Sequence, residues 1–162
     1  MFLVFFIIQT FLFRNLYLST WVIIFIYPYP LIVLHPTLNK NAGLVIGFLT
    51  GLVMDFFYNT TAVHASACTT MMFFRPFLLN YFAPRKGFDD FSKINENFFG
   101  EREYWFYLSL MLLVHHLFLF ILESFRIDLI PASIFRAIVS TFTGVIFIYL
   151  FKKLFIRRLE EA

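Results

Sequence analysis

Gly43, Gly47, Gly51 and Asp55 recur at every fourth position inside the apolar run 43–55. On a helix, residues four apart lie on one face. The run therefore predicts a helix carrying a smooth groove that ends in a single carboxylate. Where little hydrophobic force acts between helices, small-xxx-small ridges let backbones approach for dispersion contact. An Asp at the bilayer centre costs about 2.5–3.5 kcal/mol, so Asp55 should face protein and not lipid. The ridge is read as a packing surface, with a directly chemical role for Asp55 as the minor alternative.

The composition supports a membrane setting for this helix. Of 162 residues, 60% are hydrophobic and 14% charged, with a mean hydropathy of +0.79. Soluble domains carry about 25% charged residues. An all-α integral membrane protein is expected, with one membrane domain over 1–162. A lone Cys68 excludes an internal disulfide and any multi-cysteine metal site. It reads as small core filler. The net charge of +3 reads as topology and not as nucleic-acid binding. No Gly-rich phosphate loop, zinc spacing, long heptad run or internal repeat is present. No metal and no cofactor are expected.

Six membrane segments are predicted. The first, 2–13, is apolar but short for a span unless it continues through 16–18 or starts further upstream. It lacks the basic n-region and small-residue cleavage site of a signal peptide. Residues 21–27 are β-branched and aromatic and suit a short strand or half a helix. Pro28 and Pro30 then break the second segment, and a short helix is expected from Pro30 to Leu34. Trp21, Tyr27 and Tyr29 suit a membrane–water interface. The third segment is the glycine-ridge helix, 42–57, followed by a polar turn at Asn59-Thr60-Thr61. The fourth, 62–82, opens on small residues that include Ala62, Ala65 and Cys68. Two helices joined by so short a turn, each with a small face, should pack closely. A polar loop over 83–102, spans at 103–124 and 132–151, and a basic tail over 152–162 complete the chain.

Basic residues set the expected orientation. With both termini cytoplasmic, Lys40, Arg85, Lys86, Lys93, Arg102, Lys152, Lys153, Arg157 and Arg158 fall inside. Only Arg14, Arg126 and Arg136 fall outside, which agrees with the positive-inside rule.

The intramembrane polar residues are the other candidates for function. Asp55 and His64 flank the turn and are expected to form a hydrogen-bonded pair that fixes the hairpin. A proton or ligand site is the sharper alternative. Arg75 precedes Pro76 and is expected to snorkel or to reach carbonyls freed by the proline. His115, His116 and Glu123 suggest a metal set, but adjacent histidines on a helix point roughly 100° apart and suit one ion poorly. Glu123 is expected to pair with Arg126 or Arg136. Ser66 and Ser133 lack a Gly-x-Ser-x-Gly context and an evident base partner.

Taken together, these motifs resemble the rod shape-determining MreD family in its Bacteroidetes-like form. The resemblance is carried by Gln9, Pro28-Tyr29-Pro30, Gly47 to Asp55, Asn59-Thr60, His64-Ala65, Arg75-Pro76, Ala83-Pro84-Arg85, and His115-His116 with Glu123. It covers nearly the whole chain in order, length and hydropathy. Ala62 departs from it, standing where the family usually has Gly, and the first segment is shorter than usual. The resemblance implies a six-helix fold similar to the substrate-binding S components of energy-coupling-factor transporters. It implies a multi-pass inner-membrane protein with no catalytic activity. Its partner would be the bitopic protein MreC and, through it, MreB filaments, a RodA-type glycosyltransferase and the elongation transpeptidase.

Three functional readings follow. The first is a non-enzymatic scaffold that regulates peptidoglycan synthesis, with the ridge and the small face at 62–68 as packing surfaces. The loop and the tail are then its cytoplasmic contacts, with anionic lipid as the tail's alternative partner. This reading expects Gly47→Leu or Gly51→Leu to destroy folding or assembly and His115→Ala to be mild. The second is the substrate-binding subunit of a vitamin-type transporter, with an outward pocket at Asp55 and His64. The third is a membrane enzyme with His115, His116 or Glu123 in a water-filled cavity.

Overall fold

Helix α3 (Lys40–Tyr58) starts where Asn39 Oδ1 accepts the Asn41 N–H at 2.8 Å. It stops at Asn59, whose left-handed φ of 54° turns the chain back. Helix α4 (Val63–Phe82) follows after Ala62, which also has a positive φ, 61°. The polar turn between the helices thus rests on two left-handed residues, neither of them glycine. Pro76 lies inside α4, and the helix continues through it.

The remaining elements are α1 (Phe2–Phe11), α2 (Tyr29–Ile32), α5 (Glu96–Phe99), α6 (Glu101–Ser124) and α7 (Ile130–Phe151). A 3-10 turn (Ile127–Leu129) leads into α7 and a π-turn (Lys152–Ile156) follows it. The computed structural model describes residues 2–11, 23–82, 87–88 and 94–156, and these contain no strand. Residues 16–18, Trp21, most of the polar loop (83–86 and 89–93) and the tail beyond 156 lie outside the described residues.

The regular structure of the described residues is therefore all helical, and among them three helical stretches are long and apolar enough to cross a membrane. They are Lys40–Tyr58, Glu101–Ser124 and Ile127–Leu154. Helix α4 has comparable length but carries His64, Ser66, Thr69, Thr70, Arg75 and Asn80.

Packing runs α3 on α4, α4 on α6 and α6 on α7, with the short α2 touching α1, α4 and α6. The core lies in an unexpected place. Residues 24–32 are all buried, although only α2 within them is helical. This segment lies between Gln9, which bonds both Ile24 and Tyr58, and Arg75, which bonds Ile32. Its end leads into Lys40. The helices surround an irregular central strap.

The second segment differs from its sequence reading in two ways. Residues 23–26 are neither a strand nor half a helix, and the short helix is Tyr29–Ile32 instead of Pro30–Leu34. Tyr27 and Tyr29 do not lie at an interface: they are 2% and 4% exposed. Their hydroxyls find partners inside the bundle, which removes the cost of burying them.

Candidate functional site

Backbone at membrane depth outside a helix must be satisfied by protein or water. The buried polar side chains do this for the strap. Gln9 on α1 donates through Nε2 to the Ile24 carbonyl at 3.0 Å and accepts the Ile26 N–H at Oε1, 2.8 Å. One amide side chain thus stands in for a neighbouring strand. Ser140 Oγ on α7 accepts the Ile23 N–H at 3.3 Å. Tyr107 on α6 donates to the Ile32 carbonyl at 3.1 Å.

Arg75 closes the strap's far end. Its Nε donates to the Ile32 carbonyl at 3.3 Å, and Nη2 donates to the carbonyls of Leu34 and His35. The carbonyls that end a helix have no partner within it. Arg75 supplies such a donor for Ile32, the last residue of α2, from a different helix, and donates also to Leu34 and His35 beyond it. These are not the carbonyls freed by Pro76, as the sequence suggested. Arg75 is 3% exposed, and no carboxylate pairs with it among the described residues.

Tyr27 anchors the middle of the strap. Its hydroxyl lies 2.9 Å from His64 Nδ1 on α4 and 2.7 Å from His115 Nε2 on α6, and the Cys68 thiol donates to it at 3.6 Å. Phe25 packs its ring against His64, His115 and His116. His116 turns the other way, with Nδ1 at 2.8 Å from Thr141 Oγ1 on α7. The two adjacent histidines thus serve different helices. Both are fully buried, and among the described residues His115 Nδ1 and His116 Nε2 have no hydrogen-bond partner.

The contact between Asp55 and His64 is made by backbone, not by the imidazole. Asp55 Oδ1 accepts the His64 N–H at 2.9 Å and Oδ2 accepts the Ala65 N–H at 2.9 Å. Thr60 Oγ1 donates to Oδ1 at 2.5 Å. The carboxylate caps the first turn of α4 from the end of α3, where orphan N–H groups and the helix dipole both favour an anion. His64 is then left to direct its ring at Tyr27.

The glycine ridge faces α4. A Cβ on Gly51 would strike the Ala65 backbone and the His64 carbonyl oxygen. One on Gly47 would lie 2.7 Å from Met72 Cγ and 3.1 Å from the Cys68 oxygen, and one on Gly43 would lie 3.1 Å from Met72 Cε. Ala65 and Cys68 are fully buried in this seam, while Ala62 sits in the turn above it. The seam is internal to the chain.

Glu123 stands apart from the histidines. It pairs with Arg136 at 3.5 Å with its side chain 45% exposed, while Arg126 pairs with Asp128. Among the described residues, no three His, Cys, Asp or Glu side chains gather as metal ligands.

The sequence reading missed Tyr27 as a hub, and also Tyr107, Ser140 and Thr141. One signal was available on α6: Tyr104, Tyr107, Met111 and His115 follow a spacing of three and four, and all are fully buried. Tyr104 meets Tyr29 hydroxyl to hydroxyl at 3.2 Å. For Tyr27 there was no periodic signal, because the strap has no regular structure.

The chain was compared with family models, with curated proteins and with solved structures, and none matches.

Proposed function

We propose that this chain is a non-catalytic membrane scaffold of the bacterial cell-wall elongation complex, binding an MreC-like bitopic partner and regulating peptidoglycan synthesis. The observation that carries the non-catalytic part is the use of the buried polar groups. Gln9, Tyr27, Asp55, His64, Arg75, Tyr107 and Ser140 are each bonded to the chain's own backbone or to one another. Each of these seven side chains is engaged by the fold itself. The assignment to the elongation complex rests on the sequence resemblance.

In this reading there are six membrane segments: α1, the strap, α3, α4, α6 and α7, as in the S components of energy-coupling-factor transporters. Both termini are cytoplasmic in the inner membrane. The strap supports this count because it is buried among the helices from Ile24 to Ile32. The cations also support the orientation. Lys40, Arg102, Lys152 and Lys153 lie at one end of the helices, each over an aromatic ring. Such snorkelling suits a leaflet boundary.

Because α4 occupies the glycine ridge, a partner's transmembrane helix meets other faces. The outer face of α3 offers Val45, Phe48, Leu52 and Phe56, all exposed. The polar loop and the tail meet cytoplasmic partners, and Lys152 joins the two through Glu96 at 2.8 Å.

The test is affinity purification of the tagged protein from its own membranes in mild detergent, with mass spectrometry of proteins and small molecules. Recovery of an MreC-like protein with wall-synthesis enzymes, and no stoichiometric small ligand, is the expected result. A stoichiometric vitamin-like ligand or an ATPase module would make it a transporter subunit instead.

A further inference from the structure

We propose that Tyr27, His64 and His115 form an acid-labile latch that holds the central strap in the bundle at neutral pH and lets it loosen on protonation. The inference is independent of the wall-elongation reading and rests on hydrogen-bond accounting.

A tyrosine hydroxyl donates once and accepts twice. Around Tyr27 there are three partners: His64 Nδ1, His115 Nε2 and the Cys68 thiol. One imidazole must therefore donate and the other accept. Among the described residues His115 Nδ1 has no partner, in a fully buried site. An orphaned N–H is rarer there than an orphaned acceptor, so Nδ1 carries no proton. It follows that His115 donates from Nε2 to Tyr27, and Tyr27 donates to His64 Nδ1. The thiol completes the set, and every valence of the hydroxyl is used. This arrangement exists only with both histidines neutral.

A proton breaks it from either side. On His64 Nδ1 it removes the acceptor that Tyr27 needs. On His115 Nδ1 it creates a buried cation whose new N–H has no acceptor. The groups facing the latch relieve this charge only in part, through the Asp55 carboxylate. From α3 come Asp55, already bonded to Thr60 and two backbone N–H groups, and Tyr58, whose ring stacks near His64. From α4 comes Cys68, and from α6 His116, whose ring lies 5.4 Å from that of His115. Among the described residues, α1 and α7 contribute the neutral Gln9 and Thr141. Opened to water, each histidine regains its ordinary proton affinity near 6.5. The opened form thus binds more protons, and the closed form loses ground as pH falls through that value.

Cys68 is the chain's sole cysteine, fully buried and bonded to Tyr27, so it reports on the latch directly. The full-length protein is purified in detergent. Cys68 labelling by 4,4′-dithiodipyridine is then measured from pH 7.5 to 5, normalised at each pH to the denatured chain. Each histidine kept neutral only in the closed form contributes a factor of about 30 over that range, so the wild type should rise at least about 30-fold. In the double variant His64→Asn/His115→Gln, the amides keep an acceptor and a donor at the matching ring positions but do not titrate. Its labelling should change less than about threefold on the same scale. A Cys68→Ser/Ala137→Cys protein, probing the buried α7 face, should stay protected throughout.

A flat wild-type profile overturns the proposal without any variant. So does a double variant that follows the wild-type curve, or an Ala137→Cys probe that opens in parallel, which would mean global acid unfolding. Should the double variant not fold, His64→Asn and His115→Gln singly must each rise by a smaller factor than wild type, and single variants that both follow the wild-type curve are equally decisive.

Discussion

The carboxylate of Asp55, on the last turn of α3, accepts the backbone N–H of Ala65, on the first turn of α4, at 2.9 Å. A second oxygen takes the N–H of His64. Helix capping is usually done by a residue next in sequence, and an N-cap contributes about 0.5–2 kcal/mol. Here a single buried carboxylate serves two donors, and hydrogen bonds to charged groups are worth about 1.5–3 kcal/mol each. Asp55→Ala is expected to destabilise the protein by about 3 kcal/mol, and Asp55→Asn by less, since one amide oxygen keeps one acceptor. Denaturant titration in micelles, read by intrinsic fluorescence, checks the order. Equal losses for the two variants would show that the carboxylate does not act as a cap.

Three glycines predict three different outcomes on mutation to alanine. Gly51 meets the backbone of α4, which has no rotamer to change, so Gly51→Ala forces the helices apart. Overpacking of that kind costs about 1–3 kcal/mol or more. Gly47→Ala meets chiefly the Met72 side chain, which is flexible, and should cost less. Gly144 on α7 is open by comparison: its Cβ would lie 3.7 Å from the Phe25 oxygen and 3.8 Å from His116 Cε1, ordinary contact distances. Gly144→Ala should be neutral. Thermal stability in the same detergent should rank the variants 51, 47, 144 from worst to best.

The helices were legible because their signals are local. The four-residue glycine spacing, the Asn59 turn and the apolar lengths of α3, α6 and α7 each depend on neighbours in sequence. The strap was not legible, because what stabilises it is not local. Residues 23–26 bond to Gln9 and Ser140, which lie on helices distant in sequence. Pro28 and Pro30 announced a break but not its burial. The same non-locality misplaced two side-chain roles. Asp55 and His64 were legible as neighbours, yet their contact runs through the His64 backbone because the ring is claimed by Tyr27. Arg75 was legible as a donor to carbonyls, but the carbonyls belong to the strap.

His115→Ala is one place where the structure changes an expectation. The sequence reading took it as mild. The side chain is fully buried and bonded to Tyr27 at 2.7 Å. Truncation leaves a cavity and takes one partner from the Tyr27 hydroxyl, together about 2–4 kcal/mol. Loss of stability should therefore accompany any loss of function in this variant. His115→Gln, which can still donate to Tyr27, should recover most of the stability. If His115→Ala melted like wild type, the hub role of Tyr27 would be wrong.

Ala62 offers a gain. Its φ of 61° lies in the left-handed region, where a Cβ costs about 1–2 kcal/mol. Glycine removes that cost at the price of greater freedom in the unfolded chain, which offsets about 0.5–1 kcal/mol. Ala62→Gly is expected to raise stability by up to about 1 kcal/mol. Ala62→Val should lower it, since a β-branched side chain is least compatible with positive φ. Melting temperatures of the two variants against wild type decide it, and a stabilising valine would mean that the turn adopts a different backbone.

Arg75→Lys separates a structural role from a role in recognition. Arg75 reaches three carbonyls at once, those of Ile32, Leu34 and His35, through two different nitrogens. A guanidinium fork can do this; a lysine ammonium is a compact point charge on a flexible stem and cannot keep the same geometry. The part-buried Leu34 carbonyl then loses its donor, at about 1–3 kcal/mol, while Ile32 keeps Tyr107. The charge itself is conserved. If Arg75 serves the strap, Arg75→Lys should lower stability and increase Cys68 labelling at neutral pH, because the strap's far end is released. If Arg75 instead recognises an anionic partner, the lysine should keep the fold intact and the partner bound, or weaken binding with no change in Cys68 protection. Measuring stability, labelling and partner recovery on the same preparation distinguishes the two, and the bonds to the strap predict that the first two move together.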